Sequence, residues 1–574
     1  MKKKYSYSAV MESYKELIDE RSEWEAEWRG ISQYLLPGRG IYQRLTKPRK
    51  RKLTSPNIVN SIAEDALYVL TSGMHSALTS PSRPWFKLEW EDRRLEKVEQ
   101  LKAWLQDAEN KLHKALHASN FYSIINSFYI EYAGFGTGCI YVGEDGASDT
   151  APFRFELLTA GEYAFSFGVG GRLNVFARSI FMTPRKLVER FPNTVSKKQA
   201  AEVAKNGAGI DKVTVTVLEY LLVSPYQDKN VTRIMYEVSA PDNANDQAFY
   251  KTEQEPLEIS GFYEHPYSVG RWGTIGADEY GIGPGSRALP DIKRLQQMEK
   301  AFLMATHKAI NPPLNAPSRL KGKLNTLPGG YNYYSNPNEL VSSIYNHNFD
   351  YSGVGAAVER VEQRIQKCFY NDIFLTAARD PNASPLRTGQ VQVQEQEKTL
   401  RLGPVVERLQ HEFFEPTIER CFNIMLRRGL FEDLPADLAE MVSNYNINLV
   451  SPLATAQRAS ALQGINSFMG FLGQAAQFDQ QILDNIDVDA AAREYADING
   501  VQFGILRTQE QVAAIRKQRQ QMIAQEKARQ DALAQAQAQS QMNAEQAAAS
   551  KTQAEAGQVL AETQQINQDI GYGI

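Results

Sequence analysis

The chain has 574 residues and a formal net charge of −4, with 63 Lys and Arg against 67 Asp and Glu. That length suggests roughly three or four domains and is ample to bury a core unaided. The near-balance of charge argues against a free-standing DNA coater. Three cysteines far apart in sequence, Cys139, Cys368 and Cys421, exclude a disulfide framework and fit unpaired core positions. Met1-Lys2-Lys3-Lys4 is followed by Tyr5-Ser6-Tyr7-Ser8, not by the apolar stretch of a signal peptide. No run approaches the 18 or so apolar residues that span a bilayer, so the expectation is a soluble protein made in the cytosol.

In chain order, residues 8–36 read as a helix. Tyr14, Leu17, Trp24, Trp28, Ile31 and Leu35 recur at mostly helical steps until Pro37-Gly38. The basic loop Lys47–Lys52 can hold nucleic acid or act as a localisation signal, though a solvated loop is the plainer interpretation. Helices follow over about 57–79 and 95–132. Gly134-x-Gly136-x-Gly138 comes after a helix and before a strand, the reverse of dinucleotide-site order, and reads as a helix-ending turn. Short β-branched or aromatic segments at 153–157, 163–167, 172–180, 212–223, 233–238 and 257–263 predict antiparallel sheet, with one helix inserted at about 183–205. Residues 266–286 look irregular.

A helix at 287–310 carries the seam Leu295, Met298, Phe302, Ala305, Ala309 and stops at Asn311-Pro312-Pro313. A second, at 354–377, carries Val358, Val361, Ile365, Cys368. Between them lies a Pro- and Gly-rich insertion with room for short strands, so the whole reads as a hairpin with a decorated tip. The seams could hold a cofactor, but ordinary packing is the simpler account. A helix over 388–429 should kink or restart at Pro404 and Pro416, although Val391-Gln-Val-Gln alternates like a strand. Residues 454–520 are amphipathic helix. Of residues 521–550, 18 are Ala or Gln; this tail is either disordered or a helix supported by copies of itself. Helical from 507 to 565, it would reach roughly 90 Å.

Catalytic signatures are missing. No G-x-x-x-x-G-K-[ST] occurs; Lys321-Gly322-Lys323-Leu324 lacks the first glycine and the Ser or Thr. His113 and His117 have a ligand-like i, i+4 spacing without further ligands, and read as a solvated helix face. His411-Glu412-Phe413-Phe414-Glu415 has Glu where H-E-x-x-H needs its second histidine. No cofactor or metal is expected, and an enzyme is disfavoured.

The chain is similar to the head-to-tail connecting (portal) proteins of short-tailed bacteriophages. Trp24-Glu25, Tyr34 and Pro37 resemble the family's opening. Ser72-Gly73-Met74-His75-Ser76-Ala77-Leu78-Thr79-Ser80-Pro81 with Pro84-Trp85-Phe86 resembles its G-x-x-S-x-L-x-S-P…W-F segment. Tyr280-Gly281-x-Gly283-Pro284-Gly285 with Ala288-Leu289-Pro290-Asp291-Ile292 precedes the seam helix as it does there, and Pro312-Pro313-Leu314 and Pro328-Gly329-Gly330 recur in the insertion. Glu397-Lys398, Leu402-Gly403-Pro404-Val405-Val406-Glu407-Arg408-Leu409, Glu412, Pro416 and Gly429 are the most telling, followed by Asp484-Asn485-Ile486-Asp487-Val488-Asp489 and Glu494-Tyr495-Ala496. The likeness covers about residues 10–520. At Arg387-Thr388-Gly389-Gln390 the family more often reads M-T-A-T-E, and the Ala/Gln tail is not a shared motif.

The resemblance implies an α+β, predominantly helical subunit of portal type: α/β wing, two-helix stem, small clip, helical crown and C-terminal helical barrel. Its parts would be a wing at 1–286 (helical 1–132, antiparallel β 150–265) and a stem helix at 287–310. A clip at 311–353, a second stem helix at 354–377 and a tunnel loop at 378–390 follow. A long kinked wing helix at 391–430, a crown at 431–506 and a barrel helix or flexible tail at 507–574 complete it. It further implies a ring, usually of twelve copies, at one capsid vertex of the virion, assembled in the host cytoplasm, with double-stranded DNA passing through. Partners would be the terminase large subunit, a tail adaptor, the major capsid and scaffolding proteins, and internal core or ejection proteins at the barrel; no membrane is involved.

A conduit must not grip DNA, since every cation fixed on a phosphate adds affinity, and a near-neutral subunit suits that duty. Candidate channel-facing cations are Lys308, Arg319, Lys321, Lys323, Arg379 and Arg387, each of which also reads as an ordinary surface charge. Candidate stem-packing residues are Leu295, Met298, Phe302, Val358, Val361 and Ile365. The alternatives are a coiled-coil tail or scaffold protein without a channel, and a packaging-associated nuclease or ATPase.

Overall fold

The computed structural model describes residues 6–40, 55–91, 98–168, 171–195, 215–238, 255–316, 351–374, 401–433, 445–449 and 509–570, parts of 324–344, and a few isolated positions. It divides into two compact units, Met1–Ser467 and Phe468–Ile574.

In the first unit, helix α1 (Tyr7–Tyr34) is followed by α2 (Ile62–Leu78), β1 (Phe86–Trp90), α3 (Glu99–Ala118) and α4 (Phe121–Phe135). The stretch expected to be one helix over 95–132 is therefore two. Ser119 Oγ accepts from the Phe121 amide, and the Asn120 side chain bonds both the amide and the carbonyl of Phe155, so these polar residues compete with helix continuation. α2 starts later than expected because Asn60 Oδ1 takes the Ile62 amide in a local turn.

A three-stranded antiparallel sheet in the order β3-β2-β9 is formed by β2 (Thr137–Glu144), β3 (Phe153–Leu158) and β9 (Tyr267–Arg271). β9 falls in the stretch expected to be irregular. A five-stranded antiparallel sheet follows the order β4-β5-β6-β7-β8, from β4 (Tyr163–Phe167), β5 (Leu173–Met182), β6 (Val215–Tyr226), β7 (Lys229–Val238) and β8 (Glu258–Phe262). Of the inserted helix, α5 (Pro184–Arg190) ends before Pro192, because a residue preceding proline is pushed out of the helical region; residues 196–200 lie outside the described residues, and positions 201, 203 and 204 are again helical. Tyr7, Val10, Met11 and Leu17 of α1 pack on one face of the larger sheet, against Ala164, Ala177, Leu218, Ile234 and Tyr236.

The main core lies between α1, α2, α4, the smaller sheet and the helical segment after residue 400. It is aromatic throughout. Phe128 stacks on Phe413 at 3.8 Å and Trp85 on Phe121 at 5.7 Å, and Tyr280 meets Trp28 edge-on at 5.0 Å. Cys139 and Cys421 are buried and Cys368 is half-buried, all three unpaired.

Helix α6 (Pro284–Ile310) leads to a small hairpin of β10 (Leu314–Asn315) and β11 (Ser342–Ser343), then α7 (Tyr351–Cys368) and a short α8 (Asn371–Phe374). The helix expected over 354–377 is thus interrupted, where Tyr370 adopts a positive φ of 56°. Further on come α9 (Gly403–Leu409), a π-turn at Gln410–Phe414 and α10 (Glu415–Arg427). Pro404 sits in the first turn of α9, where no amide is needed, and starts the helix rather than kinking it. Pro416 cannot donate to the Glu412 carbonyl, and the π-turn just before it absorbs that loss. Residues 391–394 lie outside the described residues. β12 (Tyr445–Leu449), unforeseen from sequence, pairs antiparallel with β1 from Phe86↔Leu449 to Trp90↔Tyr445.

In the second unit, α11 runs from Gln509 to Ile570, which at 1.5 Å per residue is roughly 93 Å. The 454–508 segment is outside the described residues apart from single positions.

Candidate functional site

The hairpin of α6 and α7 is rooted where two glycine-rich segments cross. α4 ends on Gly136, whose φ of +80° closes the helix in the left-handed region. Against this end run Gly281, Gly283 and Gly285. A Cβ on Gly285 would lie 2.1 Å from the Gly134 carbonyl oxygen, and one on Gly136 would lie 2.1 Å from the Gly281 oxygen. The Gly136 carbonyl accepts from the Trp272 amide, and Thr137 Oγ1 accepts from the Gly281 amide. Only backbones without side chains approach this closely, and α6 starts at this contact with Pro284 in its first turn.

The inner half of α6 is buried: Ala288, Leu289, Ile292 and Leu295 lie in the main core together with Val361 and Ile365 of α7. Met298 and Val358 are half-buried against that core, and Phe302 is half-buried further out. One polar residue interrupts the apolar stripe. Gln296, 1% exposed, takes the Val59 and Asn60 amides on Oε1 and donates to the Asn60 carbonyl. Asn60 Nδ2 in turn reaches Glu299 on α6 at 3.0 Å and Glu362 on α7 at 2.8 Å. The brace thus ties both helices to the chain segment before α2. An Asp291–Arg364 pair at 3.2 Å closes the base. Sequence reading missed the brace; its trace is a glutamine at a position where the helical period calls for a hydrophobe.

The outer half is bare. Leu303 (51%), Met304 (63%) and Ile310 (71%) are exposed, and so are Leu314, Leu327, Tyr331, Tyr333, Leu340 and Ile344 around the tip. The tip closes through the Ile344 amide on the Pro313 carbonyl. α6 carries Arg287, Lys293, Arg294, Lys300 and Lys308 against Asp291 and Glu299, so it is a basic helix in an acidic chain. Lys308 is exposed in its last turn. Arg319, Lys321, Lys323, Arg379 and Arg387 lie outside the described residues, as does the basic loop 47–52. The segment following α8 is flanked by Asp372 and Arg401, which approach to 3.8 Å.

No cluster of three or more metal-ligating side chains occurs among the described residues. His113 is not on a solvated face, contrary to expectation. It stacks on Phe86 at 4.0 Å, lies 3.3 Å from the Phe86 carbonyl through Nε2, and burial holds its pKa down at about 4. One turn earlier, Glu109 accepts the Leu88 amide at 2.9 Å, and burial pushes its pKa up to about 7. Together they cap backbone groups of β1. His411 pairs with Glu415 at 2.9 Å. Glu412 instead clamps Arg271, with Nη2 at 2.7 Å, Nε at 3.1 Å and the Arg271 amide at 3.0 Å, while the guanidinium lies 4.0 Å from the Phe167 ring centroid. These residues hold backbone and sheet in register.

The comparisons bear on the same region. The chain is 32% identical over 522 residues to the probable portal protein of Bordetella phage BPP-1, spanning 89% of this chain and 90% of the relative. It is 29% identical over 517 residues to the portal protein of Salmonella phage epsilon15, with the same coverage. The family model for the bacteriophage head to tail connecting protein matches residues 8–506, a span holding the glycine crossing, the brace and the whole hairpin. By that match over most of its length, the chain belongs to the bacteriophage head to tail connecting protein family.

Proposed function

We propose that this chain is a phage portal protein: a structural, non-enzymatic subunit that closes into a ring at one capsid vertex and conducts double-stranded DNA during packaging and ejection. Two relatives of nearly full coverage bear the name portal protein, and the family match spans the hairpin. The observation that carries the assembly is the exposed apolar surface of Leu303, Met304, Ile310 and the tip. A surface of that kind on an isolated subunit calls for a partner, and in a ring of identical copies the next subunit supplies it. In this reading α6 and α7 form the stem and the 311–353 tip is the clip. Leu295, Met298, Phe302, Val358, Val361 and Ile365 pack the stem, with Lys308, Arg319, Lys321, Lys323, Arg379 and Arg387 toward the channel.

The clip meets the terminase large subunit during filling and a tail adaptor afterwards. The body contacts the major capsid and scaffolding proteins, and the barrel helix meets internal core or ejection proteins. The site of action is the virion's portal vertex, reached from the host cytoplasm. Mass photometry of the purified protein should give rings near twelve subunit masses, and electron micrographs should show a hollow centre. A persistent monomer, or rods without a lumen, would overturn the assignment in favour of a channel-less tail or scaffold protein.

A further inference from the structure

Buried and half-buried arginines of the first unit are committed internally. Arg21 bonds Glu25 and two carbonyls, Arg39 pairs with Glu131, Arg233 with Glu219, Arg271 with Glu412, and Arg420 with Glu264. Helix α11 is different. Its first third carries Arg516, Lys517, Arg519, Lys527 and Arg529, with Glu526 among them, and all are exposed. Arg516 is held by Asp489 at 2.5 and 2.8 Å. Lys517, Arg519, Lys527 and Arg529 make no ion pair among the described residues. The following forty positions are nearly uncharged and lean acidic: Asp531, Glu545, Lys551, Glu555, Glu562 and Asp569. The cations form one band along the axis; eleven residues make close to three turns, which returns Lys527 to the side of Arg516 with Arg519 flanking it, while Lys517 and Arg529 point to other sides of the helix.

The helix has no apolar stripe; Met522, Ile523, Leu533, Met542, Val559 and Leu560 are scattered and exposed. That excludes groove docking of an amphipathic helix and insertion into a membrane interface, both of which need an apolar face. What remains is recognition by charge and amide hydrogen bonds. Gln518, Gln520, Gln521, Gln525 and Gln530 are interleaved with the cations, and glutamine and arginine side chains are donors to phosphate oxygens. From Lys517 to Arg529 the band spans roughly 18 Å, enough to reach phosphates on both sides of a major groove about 12 Å wide.

We infer that the 516–529 band of α11 is a sequence-independent contact for the phosphate backbone of duplex DNA. It lies beyond residue 506, where the family match ends. The choice of duplex DNA over another polyanion rests on the reading of the chain as a DNA conduit.

The test uses the full-length protein with Lys517, Arg519, Lys527 and Arg529 all changed to Gln, which keeps helix propensity. Binding of a labelled 30-base-pair duplex of arbitrary sequence is followed by anisotropy from 50 to 200 mM salt, with Lys551→Gln as control. The variant should lose about tenfold or more in affinity at 100 mM salt. Its slope of log K against log salt should be shallower by about 0.9 for each phosphate contact removed, while the control matches wild type. Binding within twofold of wild type at an unchanged slope would overturn the inference, and so would the absence of duplex binding by wild type. Mass photometry on the same samples separates the two readings: rings that persist in the variant leave the portal assignment standing whichever way the DNA result falls.

Discussion

Replacing Gly285 by alanine puts a methyl group 2.1 Å from the Gly134 carbonyl oxygen and 3.0 Å from its Cα, all backbone atoms. No side chain can swing aside, so α4 and α6 must separate at the root of the hairpin. Two further glycines make the reasoning quantitative. Gly276 has a φ of +60° and nothing within 4 Å of a built Cβ, so Gly276→Ala incurs conformational strain alone, about 1–2 kcal/mol. Gly285→Ala incurs overpacking alone, about 1–3 kcal/mol or more, because the blocking atoms are main chain. Gly136, with a φ of +80° and a Cβ 2.1 Å from the Gly281 oxygen, incurs both, about 2–5 kcal/mol. Urea unfolding monitored by tryptophan fluorescence should therefore rank the variants Gly276, Gly285, Gly136 in order of increasing loss. If Gly285→Ala stays within about 0.5 kcal/mol of wild type, the level of an ordinary surface change, the backbone crossing does not hold the hairpin and the argument fails.

Three other perturbations test separate parts of the structure. Burial raises the Glu109 carboxyl from 4.5 to about 7, so the folded state binds the proton more tightly than the unfolded one. The stabilisation is full below pH 4.5 and is lost as pH climbs to about 7, at a slope of up to about 1.4 kcal/mol per unit; Glu109→Gln should flatten that part of the curve, and an unaltered curve would clear Glu109 of the effect. Glu412→Leu strips the partner from Arg271, which is 14% exposed, and should cost about 3–5 kcal/mol by urea unfolding, part of it recovered in Glu412→Leu with Arg271→Met; no recovery would mean the pair is not coupled. Leu303→Ser with Met304→Ser touches exposed side chains only, so subunit unfolding should hold within about 0.5 kcal/mol. The concentration at which rings dissociate should rise tenfold or more, since burying each such side chain is worth about 1.5–3 kcal/mol; equally stable rings would place the subunit contact elsewhere.

The elements readable from sequence are those whose signal is local. The strands of the five-stranded sheet are β-branched and aromatic runs separated by Gly, Asn, Asp or Pro, and α1 and α6 carry an apolar stripe closed by a proline or glycine. The features that escaped are made by partners distant in the chain. β12 is a strand because β1, more than 350 positions earlier, offers it an edge; Tyr445-Asn446-Ile447-Asn448-Leu449 alone is too short to declare itself. Both glycine motifs were visible, the first as a helix-ending turn and the second as part of an irregular stretch before the seam helix, but nothing in a linear pattern says that Gly134 and Gly136 rest on Gly281, Gly283 and Gly285. His113 misled for a related reason: its i, i+4 spacing with His117 is real, yet the residue that decides its environment is Phe86 on another element.

Charge illustrates the same limit in a way that bears on function. A net of −4 seems to argue against any contact with DNA, but a sum over the chain hides where the cations are free. Deep in the body the guanidinium groups are consumed by carboxylates and carbonyls, as Arg420 shows with the Val142 and Glu264 carbonyls, and a cation so engaged contributes almost nothing to a distant phosphate. Lys517, Arg519, Lys527 and Arg529 of α11 make no ion pair among the described residues, and screening limits each to a range of about 8 Å at physiological salt. A phosphate within that range of Lys517, Arg519, Lys527 or Arg529 would meet these cations and not the net charge of the chain, so a subunit of net −4 could still hold a duplex locally, and weakly enough to release it.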